Sequence, residues 1–586
     1  MILNTIITLL AQHWAAVVFS LVLAWLVRNR YHNGLNKYPG PFLASLTDWW
    51  RFWDVYKQRP EVTHLALHKK HGKVVRLGPN VLSFSDPEAL KVIYGLNKGD
   101  FYIVQQSVVK GTSLPSLFST TDNDFHMQFR RCVNSAFAMS ALVQYEPFVD
   151  NTTKLFLKQT EKLYVDAKDT ACDFTRWLQF YAFDVIGEIT YSKRHGFVEK
   201  NEDIDGIVAY LTKLFLYVAP VGPPLSSLIS NPRVNVSPNK KIGQIPILDK
   251  WFLKNPIYLT LSEWGLIDAT FPVAKFARAR MAERLPELAK SDAAELKKKS
   301  SNKDKSPPSP LLPTSEKAPV VVKSPDLLSK FLAAREARPD FMTDTLVQTM
   351  AVSMAFAGSE TTAISLSSVF YFLLRNPRTL NKLYAELDAA ARKGVFSDYE
   401  SGLVTWHESQ TLPYLDACVK EAFRLHPAAG LLLERITPAG GIEIAGEFVP
   451  GGTIVGCSAW IIHRNEDIFG SDVEEFRPER FIVPPGLEGE EREREEQKVK
   501  VRNGHLMQFG MGSRTCIGKN ISLLEIYKLV PSLLRRFEIQ FDDPNREWEI
   551  CNAWFVKQSN FITRFKLREL VKPEGGGVPA AGVAAH

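Results

Sequence analysis

The stretch Phe509-Gly510-Met511-Gly512-Ser513-Arg514-Thr515-Cys516-Ile517-Gly518 constrains this chain more than any other. It sets one cysteine in a glycine-rich loop, two residues after an arginine and just before a helix-like run, Lys519 to Leu533. Glycines at 510 and 512 permit the positive φ angles of a tight hairpin and let backbone approach a flat cofactor closely. A cysteine at a helix start feels the positive end of the macrodipole, which favours its ionised form. Free N–H groups of the first turn can hydrogen-bond the sulfur. Arg514 is suited to clamp a cofactor carboxylate through two bonds. For a lone glycine-flanked cysteine the competing reading is a structural turn around an inert, buried thiol.

With 586 residues, 45% hydrophobic and 23% charged, the chain can bury a large core. Its six cysteines (Cys132, Cys172, Cys418, Cys457, Cys516, Cys551) are scattered without C-x-x-C spacing, which argues against a disulfide framework or a zinc site. The net charge of +7 is mild, and no basic stripe with interleaved aromatics points to nucleic acid. The first 27 residues hold no Lys, Arg, Asp or Glu, and Trp14 to Val27 is almost wholly apolar. Residues 1–30 are therefore expected to form a membrane-anchor helix, in the bilayer over about 5–27. Arg28, Arg30 and Lys37 flank only its C-terminal end, which places the body in the cytosol.

A single folded domain is expected over 37–571. Val74–Leu77 and Val81–Phe84, split by Gly78-Pro79-Asn80, read as a β-hairpin. From Pro87 onward helical periodicity dominates, and Thr343 to Arg375, closed by Pro377, reads as one long helix. Residues 291–324 have too little apolar content to pack and are expected to be a disordered insert. About 486–504 is a charged surface insert, and 572–586 a flexible tail.

Inside the long helix, Ala357-Gly358-Ser359-Glu360-Thr361-Thr362 is poor helix material. It reads either as a helix contact that needs small residues or as a notch, with the Thr361 hydroxyl bonded to a carbonyl of the preceding turn. Glu360 and Thr361 would then be an acid–alcohol pair able to deliver protons. Glu421 and Arg424 lie three apart on a helix face amid apolar residues, so they need a third group to satisfy them. His126 and Arg130 stand one turn apart on another helix.

Together with Phe476-Arg477-Pro478-Glu479-Arg480-Phe481 and the cysteine loop, these motifs resemble the cytochrome P450 family, in the expected order, over roughly residues 37–570. Arg76-Leu77-Gly78-Pro79-Asn80 and Asn134-Ser135-Ala136-Phe137 are similar in texture to filamentous-fungal members of secondary metabolism, the pisatin demethylase-like enzymes. The resemblance implies a mainly α fold with a small β region. It implies haem b (iron protoporphyrin IX) held by the Cys516 thiolate, with Phe509 and Gly510 framing the ligand loop. Arg514, His126, Arg130 and Arg435 would meet the haem propionates. Gly358 and Thr361 would lie beside dioxygen, with Glu360 feeding the proton relay. Glu421, Arg424 and Arg480 would form a buried structural triad that locks the cysteine loop.

The implied activity is oxidation of a lipophilic small molecule with O2. No G-x-G-x-x-G opens a βαβ unit, so electrons would come from a separate NADPH-cytochrome P450 reductase, steered by basic residues such as Arg131, Lys519 and Lys528. The implied location is the endoplasmic reticulum membrane, single-pass, with the catalytic domain facing the cytosol. By the same analogy the substrate pocket draws on 101–118, 205–235, Met354 to Gly358, Ala428 to Leu433 and Trp554 to Ser559. A redox-independent haem-thiolate isomerase or dehydratase has no need of the Glu360–Thr361 pair, and a non-catalytic haem sensor calls for an output domain.

Overall fold

The computed structural model describes residues 13–167, 170–218, 254–302 and 326–574. The helices that position the site are α1 (Trp14–Tyr31), α2 (Asn123–Val133), α3 (Met139–Tyr164), α4 (Phe174–Tyr191), α5 (Ile207–Val218), α6 (Pro272–Asn302), α7 (Asp344–Arg375), α8 (Pro413–Leu425), α9 (Gly489–Gly504) and α10 (Lys519–Arg536). Helix α4 is surrounded by others, and every residue but Arg176 is buried, the polar Gln179, Asp184 and Glu188 included. It packs on α7, where only Thr361 escapes burial between Ser359 and Tyr371. Side-chain oxygens of Asp122, Asp173 and Thr343 cap the N-termini of α2, α4 and α7, satisfying N–H groups that have no partner within the helix. The long helix expected from the sequence thus begins at its Thr343 cap and ends before Pro377.

The β part is small. Strands β1 (Val74–Gly78) and β2 (Val81–Phe84) form the expected hairpin. Strands β4 (Arg435–Ile436) and β5 (Ile454–Gly456) extend it to a sheet of order β1-β2-β5-β4, in which β2 and β5 run parallel. A second sheet sets β9 (Ile562–Leu567) between β6 (Phe537–Phe541) and β3 (Cys172–Asp173). A separate hairpin, β7 (Glu549–Ala553) and β8 (Phe555–Ser559), turns at Trp554, whose φ of +77° is rare outside glycine.

The described residues bear on three further expectations. No described helix is long and apolar enough to cross a membrane. The uncharged part of α1 ends at Arg28, so Trp14 to Val27 spans about 21 Å at 1.5 Å per residue, against ~30 Å of hydrocarbon. Residues 5–12 of the expected span lie outside the described residues. Within the expected disordered insert, α6 continues to Asn302, because Ala293-Ala294-Glu295-Leu296-Lys297 are good helix formers even without an apolar face; 303–324 lie outside the described residues. The charged surface insert is borne out as a solvated segment, and it takes the form of a helix, α9. None of its residues is buried, and i,i+4 pairs such as Arg492–Glu496 at 2.8 Å support it.

Candidate active site

The cysteine loop folds as a hairpin closed by the Cys516 N–H donating to the Phe509 carbonyl at 2.8 Å. Both loop glycines take the left-handed conformation, and at Gly512 a Cβ would stand 2.2 Å from the Tyr94 carbonyl oxygen, so glycine is required twice over. Cys516 lines a cavity of about 300 Å³, and its exposed surface is the part that faces this space, with protein packed around the rest. Burial is the largest influence on the thiol and raises its pKa above the free value; the N–H groups of Gly518 and Lys519 and the charges of Arg130 and Lys519 oppose it. The helix start and the cations thus favour the thiolate, as position predicts, while burial works against it; a bound metal ion deprotonates a ligating thiol. The Phe509 ring stands edge-on to Phe423 of α8 at 5.7 Å, tying the loop to that helix.

One end of this cavity is cationic. Arg130, Arg435, Arg514 and His126 all line it, as the sequence predicts, and Lys98 joins them. Arg130 donates to the Thr515 carbonyl at 2.8 Å, and Arg514 to the Thr120 carbonyl and the Asn123 side chain at 3.1 and 2.6 Å. Arg435 donates to the Glu434 carbonyl at 2.8 Å, leaving its buried Nε without an acceptor among the described residues. Lys98 donates to the Phe118 carbonyl at 2.5 Å and lies over the Tyr102 ring. Burial and the nearby Arg435 and Arg514 charges push the Lys98 ammonium well below its usual pKa. Burial, then Arg514, Arg130 and Lys98, hold His126 neutral, at about 3. Nothing in Asn97-Lys98-Gly99 separates this lysine from a surface one; only its burial does. Four cations gathered without an ion-pair partner among the described residues, beside a thiol, fit a metal-bearing cofactor with acidic arms.

Helix α7 supplies the opposite wall. Thr361 lines the cavity, and its hydroxyl donates to the Ala357 carbonyl at 2.8 Å, forming the expected notch. Gly358 also lines it, and a Cβ there would press on Ile186 of α4 at 2.9 Å, so the small residue serves helix packing as well. Glu360 does not line the cavity. Its buried carboxylate accepts from Gln179 of α4 and pairs with Lys557 of β8 at 2.9 Å, so the expected acid–alcohol pair points in two directions. Glu525 of α10 was not anticipated. It is fully buried at the cavity wall, neither oxygen has a partner among the described residues, and burial holds it protonated, well above the carboxylate range.

The triad forms as predicted. Glu421 accepts from Arg424 at 2.7 and 2.8 Å and from Arg480 at 2.9 Å, with all three side chains fully buried. Its link to the cysteine loop is His463, which the sequence reading missed. His463 Nδ1 donates to the Arg424 carbonyl at 3.1 Å, and Nε2 accepts the Met507 N–H at 2.7 Å. That pattern needs a neutral ring, and burial together with the Arg424 charge holds its pKa near 3. Lys528 departs from expectation: it is fully buried and paired with Glu146 and Asp150 at 2.5 and 2.7 Å, welding α10 to α3 rather than belonging to a docking surface. Arg131 and Lys519 are exposed.

Of the expected pocket segments, 101–118, 354–358, 428–433 and 554–559 each contribute cavity-lining residues. Phe215 does not line the cavity but packs behind Phe356 and Phe555 at 5.1 and 4.8 Å; residues 219–235 lie outside the described residues.

The sequence profile of the family described as Cytochrome P450 matches residues 43–231 and 251–563. The chain is 40% identical to Cytochrome P450 monooxygenase cicH of Emericella nidulans, over 91% of this chain and 94% of that protein. It is 37% identical to a Cytochrome P450 monooxygenase of Aspergillus terreus, over 90% and 94%. It is 34% identical to Cytochrome P450 monooxygenase mpaDE of Penicillium brevicompactum, over 95% of this chain and 58% of that longer protein.

Proposed function

The chain belongs to the cytochrome P450 family and is a monooxygenase, and from that premise we propose that it oxidises a lipophilic small molecule in secondary-metabolite biosynthesis with electrons from an NADPH-dependent reductase. The observation that carries this reading is a single cavity shared by the Cys516 thiol, four cations without carboxylate partners among the described residues, and the Thr361 notch. Haem b, when bound there, supplies the reductive activation of dioxygen. Cys516 would ligate its iron, and Arg130, Arg435, Arg514, Lys98 and His126 would hold its propionates. The Gly512–Tyr94 contact and the His463 bridge fix the loop that aims the thiol.

The Thr361 hydroxyl is spent on a backbone carbonyl, so its oxygen presents lone pairs that hold water at the notch. Lys557, a quarter exposed, gives Glu360 a contact toward solvent, and a turn of the Glu360 side chain away from Gln179 and Lys557 would be needed for it to return protons to that notch. The exposed Arg131 and Lys519 suit an acidic reductase. Exposed apolar side chains on α1, including Trp14 and Phe19, with Phe42, Leu43, Trp49 and Trp53 on nearby elements, support attachment to the endoplasmic reticulum membrane with the body in the cytosol.

The test supplies haem-loaded protein with reductase, NADPH and labelled dioxygen. The reading predicts that substrate-stimulated NADPH consumption places one labelled oxygen atom in the product. Turnover without NADPH would favour the isomerase or dehydratase. No consumption with any lipophilic compound would favour a sensor.

A further inference from the structure

Resting on the monooxygenase reading above, we infer that Lys557 and Thr212 are positioning residues that tie Glu360 to α5, so that a shift of α5 frees the carboxylate to turn toward the Thr361 notch. The Lys557 ammonium carries three hydrogens. One goes to Glu360 Oε1 at 2.9 Å and another to the Thr212 hydroxyl oxygen of α5 at 3.1 Å, its two partners among the described residues. The Thr212 hydroxyl donates its own hydrogen to the Val208 carbonyl at 3.0 Å, so toward Lys557 it acts as an acceptor alone. Gln179 of α4 donates to the other carboxylate oxygen. Glu360 is 2% exposed, and a carboxylate so deep gives up its counter-charge only at a cost. The place of the lysine therefore holds the acid off the notch. Lys557 itself rides on a flexible four-carbon stem, and Thr212 pins that stem to α5.

Helix α5 also rests on the cavity wall. Phe215, three residues after Thr212 and so on the same side of the helix, meets the rings of Phe356 on α7 and Phe555 on β8 at 5.1 and 4.8 Å. Both of those residues line the cavity and are only partly buried. A molecule that presses on them displaces Phe215 and, one turn back, Thr212. One element, α5, thus couples occupancy of the cavity to the reach of the acid, through contacts that differ between its two positions. The carboxylate is withheld while nothing is there to oxidise.

The experiment records the infrared C–O stretch of the reduced carbon-monoxide complex of the haem-loaded protein, which reads charge and hydrogen bonds inside the cavity and not turnover. Thr212→Val keeps the size of the side chain and removes the acceptor. A second C–O band should gain about tenfold in relative intensity, the weight of one lost hydrogen bond. Lys557→Met should raise the same band. Adding Glu360→Gln to either variant should move or abolish it, which a merely structural role for Lys557 would not do. Phe215→Leu, which trims the ring that α5 sets against the wall, should raise the band as well. If Thr212→Val does not hold haem, Thr212→Ala takes its place. Identical bands in wild type and Thr212→Val, or a new band indifferent to Glu360→Gln, overturns the inference. A Phe215→Leu spectrum equal to the wild type overturns the coupling to the cavity. The absorption spectrum of the same samples separates the two readings: with a thiolate-type Soret band present, only this inference falls, and without it the monooxygenase reading falls as well.

Discussion

At Gly512 two requirements meet: a left-handed backbone and a carbonyl too close to admit a side chain. Gly512→Ala should therefore cost roughly 1–3 kcal/mol and reduce haem retention, whereas Gly504→Ala, which meets nothing within 4 Å, should do neither; melting temperature and haem-to-protein ratio measure both. His463 makes a comparable test. His463→Leu leaves the Arg424 carbonyl and the Met507 N–H buried without partners, a cost of about 1–3 kcal/mol for each group. The expected result is a lower melting temperature and looser haem binding, although His463 touches neither the loop cysteine nor the cavity. Cys516, Arg514, Arg130 and Arg435 were legible because each sits in a motif of fixed spacing. Lys98, His463 and Glu525 were not, since their roles come from burial, which single residues in unremarkable surroundings do not announce.

Helix α7 shows how one element serves two faces. Residues 360 and 361 are about 100° apart around a helix, so Thr361 faces the cavity while Glu360 turns to α4 and β8. The sequence placed the pair on the right helix; the direction of each side chain depended on neighbours that sequence spacing does not display. Because Lys557 supplies the charge that balances a buried carboxylate, Lys557→Met should destabilise the protein by roughly 1–3 kcal/mol, and adding Glu360→Gln should recover part of that loss. Chemical denaturation of the two single variants and the double variant reads the coupling; simple additivity would contradict it. Helices α6 and α9 carry the converse lesson. Low apolar content in 291–302 was read as disorder, but helix propensity keeps it helical, and charge pairs do the same for the expected surface insert.

For the molecule as a whole, His195 and His463 are held near 3, and His68 and His426 near 4, chiefly by burial. All four lie below the unfolded value of about 6.5, so the unfolded chain binds more protons on acidification. The stability these rings contribute is fully present above pH ~6.5 and is lost progressively as pH falls toward 4 and 3. Unfolding free energy should thus drop between pH 7 and pH 5, and His463→Gln should make that drop shallower, whatever it does to stability at pH 7. The architecture was readable as mainly helical with a small β region because helical periodicity, caps and the hairpin agree locally. Of the expected membrane segment, only the part from His13 onward lies among the described residues, and that part alone is too short to span a bilayer.

The whole account turns on what the thiol at position 516 binds. The reduced carbon-monoxide spectrum of the purified protein measures this most directly. The wild type is expected to show the long-wavelength Soret band of sulfur-ligated haem, and Cys516→Ser to lose that band. A variant spectrum identical to the wild type would contradict it.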